Sequence, residues 1–573
     1  MSVMIDRSVM QKSIQYPTGP AVYLVGALIA GIILKLVLLA FQAVPFNADE
    51  AVVALMGRHI LQGQQPLFFY GQAYMGSLDA FFVAAIFRII GFQVWGIRFV
   101  QMVLYSCTLF TTYWLGRQIT GRWQVGVIAT WLLALPTITV TLYTTVSMGG
   151  YGEMLLLGNL ILITTISLIQ ENQALHPKTW YLKWFILGIL IGLGLWVFGL
   201  SIVYSLPALC FLAWNTVYPT ETHTWKSAFK IPSWGKISHL GGSWVCLVTG
   251  GFLGALPWLL YTIQQGLSDP VVELGGAAIS GVEALSYSAQ LLRHGLNFSL
   301  FGSTVLLGLR PSWAVRWLGL PLAPIVLAFW SAVFVFAVKK TIRDLKAGRQ
   351  GEDFSYSPLL SGAGVVLILG FILLPFGADP SGRYFLPIAV ISALYAAQAV
   401  WSVPKKWRNF AVIAVGLVIC FNLWGTYQSV GTSPGVTTQF DSVTQIDHTY
   451  DQDLIDFLRS EGEEFGYTNY WVSYPLAFLS EEELIYVPSL PYHPDLRYTS
   501  RDNRYDLYTM LVAEADRAAY ITTNNPRLDT EIRRGFQELG LDWKEKMIGD
   551  YQVYYRISEK VDPAQIGLGD GEG

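Results

Sequence analysis

Asp49 and Glu50 stand side by side in Phe46-Asn47-Ala48-Asp49-Glu50-Ala51, after one long apolar run and before an amphipathic stretch from Ala54 to Ile60. A carboxylate held within hydrogen-bond reach of a hydroxyl or amine can remove its proton as that group attacks another centre. Adjacent acids opening a helix also gain from the helix dipole with no chemistry attached, so the residues alone leave a cap and a base equally open. The same pair can hold a divalent cation. Glu153 follows Gly149-Gly150-Tyr151-Gly152, a turn whose glycines let a ligand approach the backbone, and Asp79 ends the stretch from Phe69 through Tyr74 to Leu78. Arg383, in Gly382-Arg383-Tyr384-Phe385-Leu386-Pro387, carries a planar fork that suits a phosphate. Beside Tyr384 it equally suits an interfacial arginine whose head snorkels to the bilayer surface. The seven histidines lack the short paired spacing of a metal site, and the four cysteines lie in apolar stretches as small core residues.

The elements that must position these groups follow from composition. Of 573 residues, 53% are hydrophobic and only 13% charged, against about 25% charged in soluble proteins. Mean hydropathy is +0.43. Such a chain cannot coat several soluble domains, which excludes a cytosolic multidomain enzyme, a disordered protein and a nucleic-acid partner. The run Val22–Val44 is too long for a signal-peptide core and is expected to be an uncleaved first span. Further apolar runs fall at Leu78–Gly91 (short), Val94–Leu115, Val125–Tyr143, Met154–Ile169, Trp184–Trp214, Leu240–Ile263, Leu320–Val338, Leu359–Phe376, Tyr384–Trp401 and Phe410–Tyr427. At roughly 20 residues per crossing they predict about eleven to thirteen transmembrane helices, with the Trp184–Trp214 run hinged near Phe198-Gly199.

Charge divides the chain. Residues after Gln428 carry 26 of the 40 acids but 12 of the 37 bases, leaving a basic apolar front and an acidic tail. Basic loops at Lys226–Lys236, Lys339–Arg349 and Lys405–Arg408, with Arg7 and Lys12, suit the cytoplasm. Alternation then places Asp49, Glu50, Asp79, Glu153, Asp269, Glu273, Glu283 and Asp379 toward the outer face, together with the tail. Lys178 fits this alternation only if Leu78–Gly91 does not cross. The predicted organisation is an α-helical polytopic membrane domain over 1–428, a linker over 429–440, and an extracytoplasmic α/β domain over 441–573. In that domain helices are predicted at Asp451–Ser460, Tyr505–Ala515 and Leu528–Leu539, and strands at Tyr467–Val472, Leu484–Val487, Ala519–Thr522 and Met547–Ile557.

In layout, residues 20–430 resemble the GT-C glycosyltransferases that use lipid-linked sugars, in particular the protein O-mannosyltransferase and aminoarabinose transferase group. The Asp49-Glu50 pair in the first outer loop, the glycine-rich approach to the helix ending at Gly91 with Arg98 after it, the Gly149–Glu153 turn and Gly382–Pro387 carry the resemblance. It implies a polyprenyl-phosphate sugar donor and a lipid, glycan or protein acceptor at the outer face of the cell membrane. Asp49 would be the base and Glu50 its assistant or the acceptor's guide; direct attack with one base implies inversion at the anomeric carbon. Arg383, Tyr384 and Arg293 would meet the donor phosphate, and Tyr74, Asp79, Tyr151 and Glu153 the substrates. Members of this group differ in metal use, so a divalent ion stays open. The rival reading is a transporter or flippase of lipid-linked sugars, which ordinarily places charges at mid-membrane and shows inverted repeats; neither is evident here.

Overall fold

In a computed structural model of the chain, residues 19–170, 177–217, 234–266, 286–350 and 355–568 are described. Arg7, Lys12, Lys226, Lys230, Asp269, Glu273 and Glu283 lie outside them. The order begins with α1 (Gly19–Ala40), α2 (Ala48–Leu61), the hairpin β1 (Phe68–Phe69) and β2 (Gln72–Gly76), α3 (Leu78–Ile90), α4 (Val94–Thr120), α5 (Trp123–Ala134) and α6 (Ile138–Tyr143). It continues with α7 (Tyr151–Gln170), α8 (Pro177–Val197), α9 (Ile202–Val217), α10 (Trp234–Gly254) and α11 (Leu256–Gln265). Helices Tyr287–Leu296, Ala323–Gln350, Ser357–Leu373, Leu386–Ser402 and Lys405–Val430 complete the apolar part.

Among the described residues, seven helices are long and apolar enough to cross a membrane, and α10 with α11, bent by 62°, makes an eighth. Shorter apolar helices at Trp123–Ala134 and Ser357–Leu373 bring in two more of the predicted runs, and Gly199–Asn215 is the second half of the run Trp184–Trp214. The run Val125–Tyr143 is not one helix, because Pro136 lies between α5 and α6, and proline offers no N–H to continue the ladder. The run Trp184–Trp214 breaks at Phe198–Ser201, where the hinge was expected. α3 has 13 residues, about 20 Å of helix, too little for a crossing, and it packs on α2. α8 and α10 approach so closely that a Cβ on Gly188 or Gly192 would collide with the α10 backbone, the small-residue packing that membrane helices favour.

Beyond Val430 the chain folds around a five-stranded sheet ordered β4-β3-β5-β7-β6, with β3 Phe465–Tyr467, β4 Ile485–Val487, β5 Ala519–Thr523, β6 Lys544–Ile548 and β7 Tyr551–Tyr555. β4, β3 and β5 are parallel, and β7 and β6 add antiparallel. Helices Asp451–Glu461, Asp506–Glu514 and Pro526–Glu538 fall where the hydrophobic pattern puts them. Two predicted strands are wrong in detail. Tyr467–Val472 holds only the end of β3, because Asn469 accepts from the Trp471 N–H and starts a helix, Tyr470–Leu479. Met547–Ile557 is not one strand: Gly549, with φ +55°, turns β6 back into β7.

The helix Tyr470–Leu479 lies against α2, and Tyr470, Tyr474 and Phe478 share one continuous apolar core with Ala48, Ala51 and Val52. A smaller core fills the space between the sheet and the helix Asp451–Glu461.

Candidate active site

Asn47 caps α2, its side-chain oxygen accepting from the Glu50 N–H at 3.0 Å, and so fixes where the two acids point. They diverge. Glu50 is fully buried; Arg98 of α4 donates to both its oxygens, from Nε at 3.1 Å and Nη2 at 2.9 Å. The same guanidinium donates to the Val44 and Pro45 carbonyls at 2.9 and 3.0 Å, tying the loop before α2 to the bundle. Asp49 instead lines an open polar cavity of about 240 Å³. Glu50 does not line that cavity: with Arg98 and Asn47 on its oxygens, it ties the start of α2 to α4. No cluster of three or more His, Cys, Asp or Glu side chains suited to a metal occurs among the described residues.

The polar cavity is walled on the bundle side by Asp49, Tyr74, Tyr151 and Arg383. Gly382, at φ +92°, makes the turn before Arg383; a Cβ there would meet Val305. Asp379 accepts from the Ser381 N–H at 2.8 Å and pairs with Arg383 Nε at 2.7 Å, so the Asp379–Arg383 turn both shapes and neutralises the guanidinium. The guanidinium lies over the Tyr384 ring, 5.1 Å from its centroid. Tyr384 and Tyr74 in turn line a second cavity of about 480 Å³, otherwise walled by apolar residues including Phe198, Leu206, Leu367 and Phe371. Polar and apolar cavities thus meet at Tyr74, with Arg383 at the junction.

Three expected contacts fall elsewhere. Arg293 is exposed on the helix Tyr287–Leu296 and lines neither cavity, while its neighbour His294 is buried against the Ile372 carbonyl. Asp79 and Glu153 are buried in the bundle rather than in the cavity wall. Gln101 Nε2 donates to both Asp79 oxygens at 3.1 and 3.0 Å, and the Ser147 hydroxyl donates to Asp79 as well. The reason is the glycine turn. Gly150, at φ +74°, presses against the Val197 carbonyl and swings Met148 and Tyr151 into the cavity, leaving Glu153 two residues on inside α7.

The remaining wall comes from beyond Val430 and includes Tyr470, Trp471, Tyr492, Arg501, Asp502 and Arg504. Tyr470 donates its hydroxyl proton to Asp49 Oδ1 at 2.6 Å. Arg504 reaches back to β2: with the Gln72 amide turned to satisfy both groups, its oxygen accepts from Arg504 Nη1 at 2.5 Å and Nη2 at 2.7 Å, and its nitrogen donates to Tyr74. Arg504 also lies over the Tyr470 ring, 5.2 Å from its centroid. Burial pushes the Asp502 carboxyl up to about 7, against the pull of Arg504 and His493. Arg501, Asp502 and Arg504 were not singled out from the sequence as site residues. The available signal was the pair of arginines in Arg501-Asp502-Asn503-Arg504, set among tyrosines in an otherwise acidic tail.

Residues 77–230 match the family model described as dolichyl-phosphate-mannose-protein mannosyltransferase. No curated protein sequence matches the chain. Among solved structures, ArnT from Cupriavidus metallidurans in the apo state superposes with a TM-score of 0.52 at 11% identity, covering 93% of this chain and 97% of that one. The same protein bound to undecaprenyl phosphate gives 0.50 at 12% identity, again covering 93% and 97%. The apo oligosaccharyltransferase of Archaeoglobus fulgidus gives 0.52 at 12% identity, covering 89% of this chain and 70% of that one.

Proposed function

From a chain with the GT-C fold of these glycosyltransferases, we propose an inverting transferase that moves a sugar from a polyprenyl-phosphate donor to an acceptor at the outer face of the cell membrane. One observation carries the reading: Asp49 and Arg383 line the same polar cavity, and Tyr74 lines both that cavity and the adjoining apolar one. A prenyl chain fits the apolar side, where burial of each CH₂ contributes about 0.8 kcal/mol. Its phosphate then lies at Arg383 and Tyr384, where a guanidinium gives charge-assisted hydrogen bonds. The sugar extends toward Asp49. Asp49 accepts the proton of the acceptor's oxygen or nitrogen as that atom bonds to the anomeric carbon from the face opposite the phosphate. The C–O bond to phosphate breaks with its electron pair leaving on the phosphate, and Arg383 offsets that charge. ArnT has been solved with undecaprenyl phosphate bound, which supports a polyprenyl phosphate as the leaving lipid. The basic Lys339–Arg349 and Lys405–Arg408 segments support placing the domain beyond Val430 outside the cytoplasm.

The test is sugar transfer by purified protein from undecaprenyl-phosphate-linked sugars to membrane acceptor extracts. Asp49→Asn is expected to lower turnover by about 10²- to 10⁴-fold without loss of fold. Undiminished transfer by that variant would remove Asp49 as base, and movement of the lipid-linked sugar across vesicles without transfer would favour a flippase.

A further inference from the structure

The base of the proposed reaction sits on one part of the molecule and its closest hydrogen-bond donor on another. Tyr470, the first residue of the helix Tyr470–Leu479, reaches Asp49 Oδ1 at 2.6 Å across 421 residues of sequence. The approach is built rather than incidental. Asn469, itself buried, caps the helix through the Trp471 N–H at 3.0 Å and donates to Thr523 Oγ1 at 3.0 Å at the end of β5. Tyr470 is 3% exposed, with Trp471 and Tyr474 edge-on to its ring and the Arg504 guanidinium over it. At the other end of α2, Arg58 Nε lies 3.1 Å and His59 Nε2 2.9 Å from the Glu482 carboxylate, three residues past the end of the same helix. α2 is therefore gripped at both ends by one segment of the domain beyond Val430.

We propose that Tyr470 is the positioning residue for Asp49: its hydroxyl holds one carboxylate oxygen, aims the other into the cavity at the acceptor, and so makes the second domain part of the catalytic centre. This rests on Asp49 being the base. Burial and the Asp49 charge push the Tyr470 hydroxyl well above its ordinary range, so its proton stays on the phenol and the donation runs one way, toward the carboxylate. A short donation to a charged acceptor is about twice as strong as one between neutral groups. It removes the carboxylate's freedom to rotate. The other charged or titratable groups lining the cavity with Asp49 are Arg501, Asp502, Arg504 and Tyr492 from the same domain, and Tyr74, Tyr143, Tyr151 and Arg383 from the bundle.

The experiment compares pH–rate profiles for release of undecaprenyl phosphate from an undecaprenyl-phosphate-linked hexose. It uses wild-type protein, Tyr470→Phe, Asp49→Asn, and protein carrying 3-fluorotyrosine at 470. Tyr470→Phe is expected to lower kcat by about tenfold to a hundredfold, leave the donor KM within about twofold, and move the acid limb of the profile to higher pH, since the carboxylate loses a donor. Fluorotyrosine, a stronger donor of nearly unchanged shape, is expected to move that limb to lower pH, which keeps the proposal open to test if the phenylalanine variant folds poorly. A rate loss with an unmoved acid limb in both forms would reduce Tyr470 to a packing residue and overturn the proposal. If Asp49→Asn retains full turnover, the base assignment itself fails and the positioning role with it. The two failures are thus told apart by which variant shows them.

Discussion

Removing Arg98 while leaving Glu50 in place is the sharpest perturbation available, because Glu50 is completely buried and Arg98 is its one cationic partner among the described residues. In Arg98→Met the lost bonds are two to the carboxylate and two to the Val44 and Pro45 carbonyls. Stranding a buried charge by deleting its partner costs roughly 3–5 kcal/mol. The two freed carbonyls lie near the start of α2 and add about 1 kcal/mol each if no water reaches them. A destabilisation of about 5–7 kcal/mol is therefore expected, read from denaturant unfolding of the detergent-solubilised protein. Glu50→Gln keeps the shape and still accepts from Arg98, so it should cost about 1–3 kcal/mol. The double variant Glu50→Gln, Arg98→Met should then recover at least about 2 kcal/mol of the Arg98→Met loss, since the charge is gone. Turnover gives the complementary reading: Glu50→Gln is expected to stay within about tenfold of wild type while Asp49→Asn falls by about 10²-fold or more. If Arg98→Met costs less than about 1 kcal/mol, or Glu50→Gln is as inactive as Asp49→Asn, the separation of the two acids into brace and base is wrong.

Other outcomes follow from the same geometry. Asp502, raised to about 7, contributes stability that is fully present below its ordinary value near 4 and is lost as pH rises through about 7. Asp502→Asn should accordingly be more stable than wild type at pH 8 and lose that advantage toward pH 4, in unfolding midpoints measured across pH. Leu367→Trp places a ring in the apolar cavity and should raise the half-saturating concentration of undecaprenyl phosphate at least about tenfold in a competition assay while Tm changes little. Gly382→Ala forces a side chain onto Val305 at φ +92°, at an expected cost of about 1–3 kcal/mol, with weaker donor binding because Arg383 is displaced. Glu482→Ala removes the partner of Arg58 and His59 and should speed proteolytic cutting between residues 431 and 441.

Legibility in the sequence followed the range of the interaction concerned. Helices of the bundle could be read because bilayer thickness sets a length that a run such as Gly19–Ala40 meets by itself. Where a local break intervened, as at Pro136, the run misled only in detail. Asp49 was legible because its surroundings are local: a cap at Asn47 and a helix start. Glu50 was not separable from it, since the partner that decides its role is 48 residues away on α4. Glu153 misled for a different reason. The glycine turn was rightly seen as a place of close approach, but which side chain it turns outward depends on α8 pressing against Gly150. Tyr470 and Arg504 could not be assigned at all, because nothing near them in sequence says that their helix and loop dock on α2 and β2.

That docking bears on why a charged, polar domain accompanies an apolar bundle. A carboxylate at the membrane surface faces water on one side, where it is well solvated and a mediocre base for an alcohol; enclosing it replaces water by fixed donors chosen for number and direction. Here the enclosing wall is Tyr470, Trp471 and Tyr492, and the charges it brings, Arg501, Asp502 and Arg504, face a cavity in which the bundle supplies Asp49 and Arg383. Neither part alone makes a closed polar site. Among the described residues, the bundle without the sheet leaves Asp49 without the Tyr470 hydroxyl, and the sheet without the bundle leaves Tyr470 and Arg504 without their acceptors Asp49 and Gln72. Substitutions in the domain beyond the last long helix are therefore expected to change the acceptor and the pH dependence together, while changes around Phe198, Leu367 and Phe371 are expected to change only the lipid.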